Sequence, residues 1–384
     1  MRGVIAGALA AAAVCGALAL AVPAHAGVVN PDISVIGQPF VRWTDDAGDG
    51  ARKRLVLDPG ETEFLFDAAL NPYARGTVVV AFGDEGAAVE EGYFTLTRGL
   101  PANLALKAGQ YRVGFGKLNI QHPHALPFAE RFHVLGYLPG DEAFNETGLQ
   151  LSEQFAAGSS AVTLSLDALQ GDTFRRLRES SGASNDPLVT NPDGAGGADQ
   201  EASPRTAVLG RASVFTPIDD RSGLEWGVSA TQGTNNVAAG TTTTVFGADV
   251  KAKLWRSASS YVVLQGEFLA ANREDAGWDE TAAAYTSTSV KPRGGYVYAD
   301  YAFDPRWNAG VSYERWQDDG DTSITHSAFG AFAGLALMEE TTAFRIGWER
   351  LMPGAAAGDE TPDAVNTFTL RVVWSMGPHK AHQF

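Results

Sequence analysis

Apolar and polar residues alternate in sixteen separate stretches of this 384-residue chain, and that period of two restricts the fold more than any other feature. Successive side chains of a strand point to opposite faces, so each stretch presents one apolar and one polar face. Phe246, Ala248, Val250, Ala252 and Leu254 alternate with Gly247, Asp249, Lys251 and Lys253. Val262, Leu264, Gly266, Phe268 and Ala270 alternate with Tyr261, Val263, Gln265 and Glu267. The stretches lie near 33–43, 61–69, 73–83, 87–97, 104–116, 147–155, 160–169 and 205–216. They continue near 223–232, 242–256, 259–271, 293–303, 306–317, 323–337, 341–351 and 366–377.

The connections add a second constraint. Every other one is a short turn, as at Leu70-Asn71-Pro72, Arg256-Ser257-Ala258, Asp304-Pro305 and Met338-Glu339-Glu340. The rest are mostly longer and polar: 44–60, 118–146, 171–204, 233–241, 274–292, 318–322 and 352–365, with 84–86 breaking the rule. A soluble sandwich has no reason to keep short and long connections at opposite ends. A barrel that crosses a membrane does, because one rim is trimmed to turns and the other carries loops. Hydrocarbon also demands that every backbone N–H and C=O be paired, which a closed sheet achieves. The expected fold is therefore all-β, a transmembrane antiparallel β-barrel of about 16 strands, wide enough to enclose water. Beyond Ala26 no apolar run approaches the length of a membrane-crossing helix.

Residues 1–26 read as a signal peptide: Arg2, an apolar stretch from Val4 to Val22, and Ala24-His25-Ala26 as a small-x-small cleavage site. The barrel is expected over 27–384, with 118–146 folded into the pore and 171–204 as a mobile surface loop. Cys15, the only cysteine, leaves with the signal, so no disulfide framework is expected. The remaining 28 basic and 45 acidic side chains argue against nucleic acid as a partner. Phe368 to Trp374 alternates again, and the chain finishes on Phe384, an ending of the kind that marks outer-membrane barrels for their assembly machinery.

Three of the seven histidines share one loop, as His122-Pro123-His124 and His133, with Glu130 between them. Imidazoles with a carboxylate nearby are zinc-type ligands. The competing reading packs Leu126, Pro127, Phe128 and Phe132 of that loop against the barrel wall, with the histidines incidental. The loop is the third connection on the long-loop side, counting the short 84–86, and a constriction of the pore is the structural role expected of it. Lys107, Arg211, Asp249, Lys251, Lys253, Glu267, Arg345 and Arg371 fall on the polar faces of their strands and are the candidate pore-lining residues. Their signs are mixed, so no ion preference follows. The acidic runs 274–280 and 318–321 lack the spacing of a calcium loop. Trp43, Tyr73, Tyr93, Trp255, Trp307, Trp316, Trp348 and Trp374, near strand ends, suit the aromatic girdles of a barrel. No Gly-x-Ser-x-Gly elbow, His-Glu-x-x-His or phosphate loop is present, and no enzyme is expected.

The run Leu106-Lys107-Ala108-Gly109-Gln110-Tyr111-Arg112-Val113-Gly114-Phe115-Gly116-Lys117-Leu118-Asn119, followed by His122-Pro123-His124-Ala125-Leu126-Pro127, resembles a proteobacterial family of outer-membrane barrel proteins. The opening at 30–37 and the ending at 377–384 resemble the same family. Phe115-Gly116-Lys117 after a strand is also similar to porins of the phosphate-selective (O/P) type. Members are often labelled zinc-regulated or TonB-dependent receptors. The resemblance implies a porin-like channel in the cell outer membrane for passive diffusion of small hydrophilic solutes or ions. It implies no resident cofactor, zinc being the one metal raised, at His122, His124 and His133. Implied partners are outer-membrane lipid and lipopolysaccharide, the barrel assembly machinery, and further copies of the chain in a homotrimer. Two alternatives stay open: a zinc-linked uptake receptor using the 118–146 loop, and a structural or adhesive barrel without conductance. A TonB-dependent transporter resembles a 22-stranded barrel with a plug, more than the 358 residues after the signal can supply.

Overall fold

The structure is a computed structural model that describes residues 30–83, 86–140, 143–174, 206–237, 239–279, 281–337 and 341–377. The expected signal peptide at 1–26, most of the expected loop at 171–204, the expected turn at 338–340 and Phe384 lie outside the described residues.

Among the described residues, nineteen strands form one antiparallel sheet that closes on itself. They are β1 (Asp32–Gly37), β2 (Phe40–Thr44), β3 (Val56–Asp58), β4 (Thr62–Ala69), β5 (Ala74–Gly83), β6 (Gly86–Leu96) and β7 (Ala105–Arg112). Next come β8 (Asn145–Ala157), β9 (Ser160–Leu169), β10 (Ala207–Pro217), β11 (Gly223–Asn236), β12 (Thr241–Trp255) and β13 (Tyr261–Asp279). The last are β14 (Ala284–Val290), β15 (Arg293–Ala302), β16 (Trp307–Gln317), β17 (Thr325–Ala336), β18 (Thr342–Met352) and β19 (Val365–Met376).

The nineteen make sixteen barrel staves. β1 and β2 are one stave, interrupted at Gln38-Pro39 because proline has no N–H to give the ladder. The register against β19 runs through the break, from Gly37 opposite Trp374 to Phe40 opposite Arg371. β3 and β4 form the second stave. β14 pairs only with the far half of β13, so the 274–292 connection is itself a hairpin continuing past the point where β15 takes over. Closure comes from β1, which pairs with β4 on one side and β19 on the other.

The sheet is apolar outside and polar inside. Phe246 and Val250 are 56% and 45% exposed, while Asp249 and Lys251 on the same strand are 5% and 9% exposed. A water-soluble sheet would bury the first pair. Here the apolar face is turned to hydrocarbon and the polar face to the lumen.

Two expectations need correction. The stretch 104–116 alternates throughout, but the strand stops at Arg112. Val113 and Phe115 are fully buried, because the chain turns inward there and Gly116 takes a left-handed φ of 62°. Tyr93 and Trp316 are not girdle residues either. Tyr93 packs edge-on to Tyr111 inside the barrel, and Trp316 stacks on the lumenal His133 at 4.6 Å.

Candidate functional site: the lumenal loop and the cavity beside it

The hydrophobic core of this barrel is its loop. Between β7 and β8, Val113, Phe115, Leu118, Leu126, Phe128, Phe132, Val134, Leu135 and Phe144 enter the lumen and pack on Val245, Leu269, Tyr296, Tyr298 and Phe332 of the wall. Phe132 stacks on Tyr296 with ring centroids 4.1 Å apart, and Phe128 meets Tyr298 and Phe332 edge-on. Such burial needs room. A side chain at Gly247 would run into the Phe115 ring, so a glycine on that stave lets the loop lie flat.

Polar pins hold the loop on both sides. Asn119 closes its base: its Nδ2 donates to the Val113 and Phe144 carbonyls at 2.8 and 2.9 Å, and its Oδ1 accepts from Phe144 N at 2.8 Å. The Glu267 carboxylate accepts from Lys117 N and Leu118 N, each at 2.8 Å, and from the Tyr296 hydroxyl at 2.7 Å. Glu314 receives Val134 N at 3.2 Å and lies 2.8 Å from His133 Nδ1. Arg345 donates to the His124 carbonyl and Arg371 to the Pro123 carbonyl. On the facing wall, Glu63 lies 3.0 Å from His124 Nδ1, and Glu91 lies 2.8 Å from His122 Nε2. The loop thus bridges the barrel from β4–β6 to β13–β19.

A polar cavity of about 900 Å³ remains beside it, along the wall from β4 to β11. Lys107 and Arg211, two of the residues singled out from sequence, line it, together with Arg112, Lys117, Glu91 and Glu225. Lys107 rests 4.9 Å from the ring centres of both Tyr93 and Tyr111. Arg211 grips Asp249 with two bonds of 2.6 and 2.9 Å and donates to Ser229 at 2.8 Å. Lys251 stands opposite Glu225 in the ladder, and Glu225 is ion-paired with Lys117. Lys253 lies nearer the strand end, over Trp255 and Tyr261. Asp249, Glu267, Arg345 and Arg371 also face inward, but their partners are Arg211 or the loop. Sequence reasoning missed Glu63, Glu90, Glu91 and Glu314, the carboxylates that receive the histidines. The inward place of Glu63, Glu91 and Glu314 in the alternation was the available signal, whereas Glu90 is the extra residue of a bulge between Val89 and Glu91, which alternation hides.

The three histidines separate. Glu63, His122 and His124 form one group that could hold a cation, and His133, Glu314 and Glu349 form another. The acidic runs are tied to each other, through Arg273, which binds Asp275 and Asp319.

Removing Arg211 would strand the buried Asp249 carboxylate. Arg211→Ala should lower barrel stability by about 3 kcal/mol, read as a lower unfolding temperature, with part recovered in the Arg211→Ala/Asp249→Ala double variant. His133 supplies a pH dependence. Burial pulls its imidazole down, but the bond to Glu314 and the nearby Glu349 and Glu130 raise it above the ordinary histidine range. A raised folded value means that this pin is complete below the unfolded range near 6.5 and is lost as pH rises through the raised value. Trp316 fluorescence should therefore change on alkalinisation, and the step should vanish in Glu314→Gln.

No family model matches the chain. It is 25% identical over 339 residues to an uncharacterized protein of Aquifex aeolicus (strain VF5), covering 84% of this chain and 69% of that one. Its fold is similar to that of the outer membrane channel DcaP of Acinetobacter baumannii, with a TM-score of 0.56 at 11% identity, covering 92% of this chain and all of DcaP. The anion-selective porin from Comamonas acidovorans gives the same TM-score at 8% identity, covering 90% of this chain and all of the porin.

Proposed function

We propose that this chain is an outer-membrane channel through which small hydrophilic solutes or ions diffuse passively. The observation that carries this reading is the polar cavity of about 900 Å³ left between the pinned loop and the β4–β11 wall. An unfilled, water-seeking interior of that size gives a hydrophilic solute a path that a packed or plugged barrel does not. The apolar outer face supports a lipid bilayer as the chain's surroundings, and the fold shared with an outer membrane channel and a porin supports the outer membrane as its address. Residues 1–26 would then direct export and be removed. Phe384 would serve the assembly machinery, lipopolysaccharide would surround the outer rim, and three copies would form the assembled unit. Within the porin class, the run from Leu106 to Asn119 supports a relationship to the phosphate-selective type. A zinc-linked role has its own support in Glu63, His122 and His124.

Liposome swelling tests the reading. Vesicles containing the refolded protein should swell in small sugars and lose that response as the sugar grows. Vesicles holding a folded, heat-modifiable barrel that never swell and pass no ions would overturn it.

A further inference from the structure

We propose that Glu63, His122 and His124 form a site for a divalent transition-metal ion such as Zn²⁺, which fastens the lumenal loop to the β4 wall. The proposal goes beyond passive diffusion and depends on that reading for none of its tests. Its ligands come from two distant parts of the chain. Glu63 points inward from β4, and the histidines flank Pro123 in a short helical turn, Pro123–Ala125. That turn stacks their rings, with centroids 5.5 Å apart and planes 27° from parallel. The distances suit a small ion. His122 Nδ1 lies 3.1 Å from Glu63 Oε2 and 3.3 Å from Glu90 Oε2, and His124 Nδ1 lies 3.0 Å from Glu63 Oε1. A tetrahedral ion with bonds near 2.0 Å holds its ligand atoms about 3.3 Å apart.

Two further observations point to a ligand. His122 Nδ1 is buried and faces carboxylate oxygens of both Glu63 and Glu90, with a well-directed hydrogen bond to neither. The other ring nitrogen, Nε2, is taken by Glu91 at 2.8 Å. A carboxylate on Nε2–H fixes the tautomer that offers the Nδ1 lone pair, the arrangement that orients metal-binding histidines. Charge agrees. Glu63, Glu90 and Glu91 gather three carboxylates round the histidines, with Arg112 binding Glu90 at 3.1 Å, so a divalent ion offsets carboxylate charge with both imidazoles neutral. Two imidazole nitrogens with a carboxylate favour zinc-like ions over magnesium or calcium, which take oxygen. All three ligands border the cavity, so an ion can reach them from water. The second cluster is poorer, with one imidazole, and its Glu314 is already bonded to Val134 N.

The test uses the full chain refolded in detergent, stripped with a chelator and titrated with Zn²⁺ alone. One ion per chain should bind, with micromolar or tighter affinity, and millimolar Mg²⁺ should not displace it. Co²⁺ in its place should give the visible absorption bands of a low-symmetry four-coordinate ion. His124→Ala should abolish uptake, Glu91→Gln should weaken it roughly 10- to 100-fold by loosening His122, and His326→Ala should leave it unchanged. Absence of saturable binding to a heat-modifiable barrel would overturn the proposal, as would uptake that survives His124→Ala. The two imidazoles would then serve as protonated counter-charges to the three glutamates. Conductance enters none of these readouts, so failure of the metal site and failure of the channel reading remain distinct.

Discussion

A barrel that lacks residues 120–143 should conduct roughly threefold more current than the intact protein, or better. The cut is local. Asn119 and Phe144 already hold each other through two hydrogen bonds of 2.8 and 2.9 Å, so a Gly-Gly link between them disturbs little of the wall. What leaves is the apolar mass of Leu126, Phe128, Phe132, Val134 and Leu135, which fills the lumen opposite the cavity. The newly bared Tyr296, Tyr298 and Phe332 would face water, and some stability goes with them. Planar-bilayer recording of a variant with heat-modifiable mobility checks the prediction. A folded variant with unchanged steps would remove the loop from the conduction path.

Glu267→Ala should release the same loop without shortening it. Lys117 N, Leu118 N and the Tyr296 hydroxyl lose their shared acceptor in a buried place. Three stranded donors should cost about 3 kcal/mol or more. The loop should then exchange between docked and free states, giving a noisy current and protease cleavage near 118–140. Glu267→Gln keeps one carbonyl oxygen and should fall between the two. An unaltered unfolding temperature and a quiet trace in Glu267→Ala would show that the aromatic stack alone seats the loop.

Much of the fold was legible because the membrane enforces it. Along β12 and β13, hydrocarbon outside and water inside leave no freedom in the alternation, so Phe246 against Asp249 and Phe268 against Glu267 could be assigned a face. Short turns such as Arg256-Ser257-Ala258 marked one rim for the same reason. The end of β7 could not be read, because Val113 and Phe115 keep the period of a strand while leaving the wall. Their partners, Phe144 and Gly247, are fixed only by closure. The 274–292 stretch looked like an acidic loop, since both faces of a hairpin standing in water are polar. The site was half visible. His122 and His124 are paired by local spacing, but His133 was grouped with them only by nearness in sequence, and the barrel sends it to Glu314. Glu63 lies far from the histidines in sequence, and only the curvature of the sheet brings it under them.

The most direct test of the central claim is the single-channel current of Ser165→Cys before and after a charged thiol reagent. Cys15 is the one cysteine in the sequence, so in protein made without residues 1–26 the introduced thiol is the sole target, and Ser165 lines the cavity on β9. Passive flow along the β4–β11 wall predicts steady current steps that fall when the reagent is added. No steps from a folded barrel, or steps that stay the same when mass measurement shows the introduced thiol fully modified, would contradict it.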